Sequence, residues 1–448
     1  MLGARWIGTL SARMLRTFHV ENFKCLRDVT VELESFTVLI GPNDSGKTSI
    51  LDALRLIGQT FVRPVEEVFT GQNRAEVLAW QREAGKDLSW ELRFAEEQKA
   101  FIYRWSFPSG KEYGKSGEGA EFRRETPKGI DPADRDLFDP GWNPGLSETG
   151  LRSVLAQLDP GNASFIAEVS AFTSVLSELP RYRLDPDALR TPAVPEPDAV
   201  LTPSGDNLVA VLDRLISGPD RAAIVNLEEE LHRAIPTLRG IALRTADGKT
   251  GTKTLEFVLD GPGKKFTTIP CAHASDGAML LTAFLALAYS EQPGMLLIEE
   301  PENGLHPSRL RAVVEMLRKL STGEVGTRPR QVILTTHSPL LLNYTKPEEV
   351  RIVRRDPVTG TQVTPLTAVP DIHKLLEEFA VGELWYLLGE EAFAVAVLDE
   401  GEQVIAAADN SATLGASAVA GEWFEVLCEQ RRVVEGDLCA LRDRVALP

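Results

Sequence analysis

Apolar positions along the 448-residue chain follow two periods. Short runs of β-branched and aromatic residues at 15–20, 29–33 and 37–40 predict three strands, the first two joined by the turn ENFKCLRD. Residues 88–94 and 101–107 alternate well enough for a strand pair. Residues 241–245, 254–259 and 265–269 read as a meander with glycine turns, 295–298 and 331–335 as buried strands, and 350–354 with 362–367 as a hairpin around Asp356 and Gly360. Helical spacing appears at 49–57, 151–179, 205–216, 221–235, 278–289, 308–320, 372–388 and 423–445. Residues 108–144 are rich in Gly, Pro and charge without a usable period, so a loop or mobile insertion is expected; 186–203 is Pro-rich and expected to be extended.

Between the strand at 37–40 and the helix at 49–57 lies GPNDSGKT, which fits G-x-x-x-x-G-K-[ST] at Gly41, Gly46, Lys47 and Thr48. Strand, glycine loop and helix in that order make an anion site. Backbone N–H groups converge on one small volume, and the helix dipole favours negative charge there. Gly41, Pro42, Asn43, Asp44, Ser45, Gly46, Lys47, Thr48 and Ser49 are the candidate phosphate-binding residues. Lys47 is expected to reach the β- and γ-phosphates, and the Thr48 hydroxyl to ligate Mg²⁺.

Three further stretches carry chemistry. MLLIEEPENGLHP, residues 295–307, runs an apolar strand into two adjacent carboxylates. Neighbours at a strand end point different ways, which suits Glu299 for Mg²⁺ support and Glu300 as the general base for an attacking water. QVILTTHSP, residues 331–339, ends a buried strand in polar residues, and His337 there can donate to a γ-phosphate. Ser275-Asp276-Gly277 precedes the apolar helix at 278; taken alone it is only a helix cap.

The remaining composition changes the picture modestly. Lys plus Arg number 48 and Asp plus Glu 65, a net charge of −17, which argues against a uniformly basic nucleic-acid coat. Arginine and lysine spots at 123–124, 181–183, 264–265 and 309–319 read as solvated faces, with a DNA track as the alternative. The four cysteines form no C-x-x-C, which disfavours zinc and disulfide frameworks and suits a reducing, cytoplasmic setting. No apolar run reaches membrane-spanning length.

The four motifs in this order resemble the ABC-type ATPases of the RecF/SMC-like branch, the AAA-domain ABC ATPases related to the ATPase part of OLD-family proteins. The matching residues are Asn22-Phe23-Lys24, the 41–48 loop, Ser275-Asp276-Gly277, the run from Glu300 to Pro307 and the run from Thr336 to Pro339. The resemblance implies an α/β P-loop NTPase head, a mixed sheet with an N-terminal antiparallel β subdomain and an inserted helical lobe. It implies ATP and Mg²⁺ as cofactors and a homodimer that closes head to tail around two nucleotides. Ser275 and Gly277 of one subunit then contact the γ-phosphate held by Lys47 of the other, and Lys24 lies near the phosphates or sugar. Walker B carries Glu299 where the family has Asp, and no glutamine of the family's Q-loop can be assigned.

The expected organisation is a disordered leader at 1–13, half of the head at 14–107, an inserted lobe at 108–240, the other half at 241–345 and a C-terminal segment of unassigned role at 346–448. The implied function is an ATP-hydrolysing switch acting on DNA or on a partner effector in repair, recombination or anti-phage defence. The alternative is an ATP sensor of little turnover gating a separately encoded nuclease or toxin. A transporter subunit at a membrane is disfavoured. VLDEGE at 397–402 faintly resembles the first acidic motif of the OLD nuclease domain, but no D-x-D follows, so an acidic turn is the plainer expectation.

Overall fold

The structure, a computed structural model, describes residues 14–80, 86–96, 99–107, 119–126, 129–130, 174–177, 179–218, 221–246, 251–261, 265–290, 294–369 and 372–385. The leader at 1–13, the acidic run at 397–402, the helix expected at 423–445 and most of the one expected at 151–179 lie outside these residues.

The central sheet is six-stranded, in the order β15-β14-β3-β13-β12-β8. Its members are β3 (Phe36–Ile40), β8 (Arg181–Tyr182), β12 (Met295–Glu299), β13 (Gln331–Thr336), β14 (Val350–Asp356) and β15 (Gly360–Pro365). Neighbours run parallel except β14 and β15, which form the antiparallel hairpin at the edge. β3, β12 and β13 are buried along their whole length, and their alternate residues feed two different cores. Val38, Ile40, Leu296, Ile298, Val332 and Leu334 face one side. Leu39, Met295, Leu297, Ile333 and Val353 face the other. Coverage on both faces is why these strands read as unbroken apolar runs rather than as alternation.

The first core is closed by helices, named here α2 (Leu208–Ser217), α3 (Arg221–Ala234), α4 (Asp276–Tyr289) and α5 (Pro307–Thr322). Every residue of α4 from Ala278 to Tyr289 is buried, as expected of a helix apolar all round. The second core lies between helix α1 (Lys47–Thr60) and an antiparallel sheet ordered β2-β1-β4-β5-β6-β7. This sheet comprises β1 (Met14–Phe23), β2 (Leu26–Glu32), β4 (Leu88–Glu96), β5 (Lys99–Phe107), β6 (Gly119–Thr126) and β7 (Gly129–Ile130). Phe69 stacks on Trp105 at 5.4 Å between ring centroids, and Trp90 tilts against Trp105 at 5.1 Å. A three-stranded sheet of β9 (Leu238–Thr245), β10 (Lys253–Asp260) and β11 (Phe266–Pro270) leads directly into α4.

Two features differ from expectation. Part of the stretch expected as loop, 108–144, is strand: β6 pairs antiparallel with β5 from Ala100↔Glu125 to Ser106↔Gly119. In GAEFRRET only Ala120 and Phe122 are apolar, too few to show a readable period. The hairpin β14–β15 is hydrogen-bonded into the central sheet beside β3, so the sheet runs past residue 345.

Candidate functional site

The register of the central sheet places Ile40 opposite Thr336, and Glu299 opposite Thr335. The loop after β3, the carboxylates after β12 and the histidine after β13 therefore leave the sheet at the same edge. That edge, the carboxyl ends of parallel strands, is where open α/β sheets place their ligands.

The phosphate loop folds tightly. Asp44 and Gly46 both adopt positive φ, 62° and 111°, and Gly46 caps α1. A Cβ on Gly41 would collide with the Val353 carbonyl oxygen, and one on Gly46 with the Thr361 side chain. Both glycines are thus required by shape, and Gly46 by its backbone conformation as well. Thr361 braces the loop from behind, its hydroxyl donating to the Ser45 carbonyl at 2.8 Å. Lys47 is 6% exposed, with its ammonium donating to the carbonyls of Gly41 and Pro42 at 2.7 Å each. The Thr48 hydroxyl donates to Glu299 Oε1 at 2.6 Å. Asn43 is exposed at the loop tip, and Ser49 Oγ lies 3.3 Å from Cys25 Sγ.

These residues fit a triphosphate with a hard divalent cation. Ser45 Oγ is buried with no hydrogen-bond partner among the described residues. The adjoining Thr48 and Glu299 supply oxygen donors of the kind Mg²⁺ prefers.

Glu300 follows at φ 44°, in the left-handed region. Among the described residues, the non-glycine positions with positive φ are Asn22, Lys24, Asp44 and Glu300. All lie in the motif turns, as expected of backbone strain held at a functional site. The Glu300 carboxylate accepts from Asn303 Nδ2 at 2.8 Å and from Arg183 Nη2 at 3.2 Å, with His337 Nε2 at 3.5 Å. The structure thus brings His337 and Glu300 together.

Lys24 sits one shell further out. Its ammonium pairs with Asp52 on α1 at 2.6 Å, and its backbone is tied to the Leu78 carbonyl. Ser275 caps α4, accepting from the Ala278 N–H at 3.3 Å. Among the described residues, no hydrogen bond links Ser275 or Gly277 to the phosphate loop.

Several site residues escaped the sequence reading. Arg181 and Arg183, read above as a solvated face, lie on the carboxylates. Arg181 bridges Asp52 at 3.1 Å and Glu299 at 3.5 Å, while Arg183 meets Glu300. The available signal was the alternation Arg-Tyr-Arg, two polar residues flanking Tyr182, which is fully buried against β12. Arg190 holds the Ser275-Asp276-Gly277 turn, bonding to Asp276 at 2.6 Å and to the Ala274 carbonyl at 2.9 Å.

Glu302 is the other omission. Its Oε1 accepts from the Thr336 hydroxyl at 2.6 Å and from the His337 N–H at 3.1 Å. Burial pushes this carboxyl above the usual range, against the lowering effect of those bonds. A raised folded-state value stabilises the fold at low pH, and that contribution is lost as pH rises through the folded value. Glu302→Gln is therefore expected to flatten the pH dependence of stability in the window just above the ordinary carboxylate range. Urea unfolding at pH 5 and pH 8 measures this: parallel changes in both proteins would remove Glu302 as its source.

Comparison with known proteins agrees with this geometry. Residues 36–343, well over half of the chain, match the family described as "AAA domain, putative AbiEii toxin, Type IV TA system". The chain is 25% identical over 357 residues to the "Old nuclease" of Escherichia phage P2, across 73% of this chain and 57% of that protein. It is 22% identical over 360 residues to the "OLD nuclease" of Thermus scotoductus, across 77% of this chain and 62% of that protein. The matches thus span under two thirds of those relatives' length. Among solved structures, the SMC head domain from Thermotoga maritima overlaps 78% of this chain and 98% of its own, at 13% identity and a TM-score of 0.40. With the glycine loop, the paired carboxylates and the histidine gathered at one sheet edge, and the match running from β3 through β13, the chain belongs to this AAA-domain family of ATPase-type P-loop proteins.

Proposed function

We propose that this chain binds MgATP, hydrolyses it, and uses the cycle as a switch. One observation carries the reading: the Thr48 hydroxyl, 251 residues away in sequence, sits on the Glu299 carboxylate, with Glu300 and His337 paired beside it. Bound Mg²⁺ would supply charge neutralisation on the phosphates, held by Thr48 and Glu299. Lys47 and the loop N–H groups bind and orient the triphosphate. Glu300 accepts the proton of the attacking water, and His337 orients the Glu300 carboxylate.

The switch closes when two copies meet head to tail, each offering Ser275 and Gly277 to the other's nucleotide. The capped start of α4 supports this role, because a helix N-terminus favours an anion. Closure then acts on DNA or on a partner effector. The name of the relatives supports a nucleic-acid setting, while their greater length leaves room for other activities in them.

Steady-state phosphate release tests hydrolysis, with Glu300→Gln as the control. Closure is tested by Ser275→Arg. This variant is expected to bind ATP like wild type but to lose the ATP-dependent dimer in size-exclusion chromatography. A dimer unchanged by the substitution would refute the trans contact. A second reading, a sensor of little turnover, draws on the engagement of Glu300 by Arg183 and Asn303; negligible phosphate release from a tight ATP binder selects it.

A further inference from the structure

Arg181 and Arg183 leave the same edge strand but are held in different ways. Arg181 is pinned between two buried carboxylates, Asp52 and Glu299. Arg183 lies just beyond the Ile298–Tyr182 pair, with its backbone N–H fixed to the Pro203 carbonyl at 2.9 Å. Its side chain is 66% exposed and, among the described residues, pairs with Glu300 Oε2. An ion pair that open adds little to the fold. Nor does Glu300 depend on it for position, since Asn303 donates to the same oxygen at 2.8 Å and His337 approaches the other. The structure therefore holds a largely exposed cation, on a tethered backbone, beside a carboxylate that is already oriented.

Charge explains the arrangement. A terminal phosphate next to Glu300 places two anions in one small, partly desolvated space, where like charges repel strongly. We propose that Arg183 is a positioning residue acting through Glu300. Its charge offsets the carboxylate, so that the last phosphate of a nucleoside triphosphate can lie beside it. ADP has no phosphate to place there and gains nothing from Arg183. This rests on the reading of Glu300 as the residue that faces the terminal phosphate. The same cation lowers the repulsion without blocking the carboxylate, because it engages a single oxygen from the solvent side.

Equilibrium binding of ATP and of ADP to the full chain tests the proposal, using Arg183→Ala, Arg183→Lys, Glu300→Gln and the Arg183→Ala/Glu300→Gln double variant. Loss of one charge-assisted contact corresponds to about a tenfold change in affinity. Arg183→Ala is expected to weaken ATP by about that factor and ADP by less than about twofold, with Arg183→Lys restoring ATP binding. In the Glu300→Gln background, where no carboxylate charge remains to offset, Arg183→Ala is expected to change ATP binding by less than about twofold. Equal weakening of ATP and ADP, no weakening of either, or the same ATP loss in both backgrounds overturns the proposal. Lys47→Ala separates this from the parent reading. If wild type binds no ATP, or Lys47→Ala binds it normally, the nucleotide site itself is wrong; if Lys47→Ala loses binding and the Arg183 pattern fails, only the Arg183 role is wrong. Thermal melting of each variant confirms that the fold is retained.

Discussion

Replacing Glu300 with Gln is expected to lower steady-state phosphate release by about two to four orders of magnitude, the usual contribution of a positioned general base. The substitution keeps the size of the side chain and keeps an oxygen for the Asn303 donor at 2.8 Å. It removes the proton acceptor and the negative charge. Nucleotide should therefore still bind, and with repulsion relieved it should bind at least as tightly. Under the closure mechanism, ATP then accumulates in the closed dimer. The paired readouts are phosphate release and sizing with ATP. A variant that turns over at the wild-type rate would reassign the base, and the neighbouring Glu299, already engaged by Thr48, would be the next candidate.

Lys47→Ala carries the second large effect, in binding rather than turnover. The Lys47 ammonium is enclosed by the loop it serves, bonded to the Gly41 and Pro42 carbonyls. Truncation removes the loop's buried cation and leaves those carbonyls without it. A charged hydrogen bond in such a site is worth about 1.5–3 kcal/mol, so affinity for ATP should fall by at least about tenfold. Calorimetry or a fluorescent nucleotide measures this directly. Unchanged affinity would mean that the glycine loop is not where phosphate binds, whatever its sequence.

Much of this candidate site is legible in the sequence because each motif combines a buried strand with a polar end. Such strands are recognised by continuous apolar character, and the chemistry begins where that character stops: at Gly41, Glu299 and His337. The arginines escaped because a two-residue strand has no period to recognise, and because an arginine on a carboxylate has the same sequence signature as one in solvent. Glu302 escaped for the opposite reason. Its neighbours Glu299 and Glu300 already explained an acidic cluster, and only packing reveals that it holds Thr336 and the His337 backbone. β6 is illegible in the sequence because Ala120 and Phe122 alone are too few apolar positions to show a period.

The brace behind the phosphate loop bears on the order in which the molecule becomes competent. The loop emerges early in synthesis, yet the threonine that closes its rear wall is 316 residues downstream of Ser45. Contacts of such separation are slow to form, because loop closure costs entropy before the contact repays it. A growing polypeptide thus carries the glycine cradle before the residue that braces it has been made, and nucleotide affinity is expected to rise only once the far edge strand has docked.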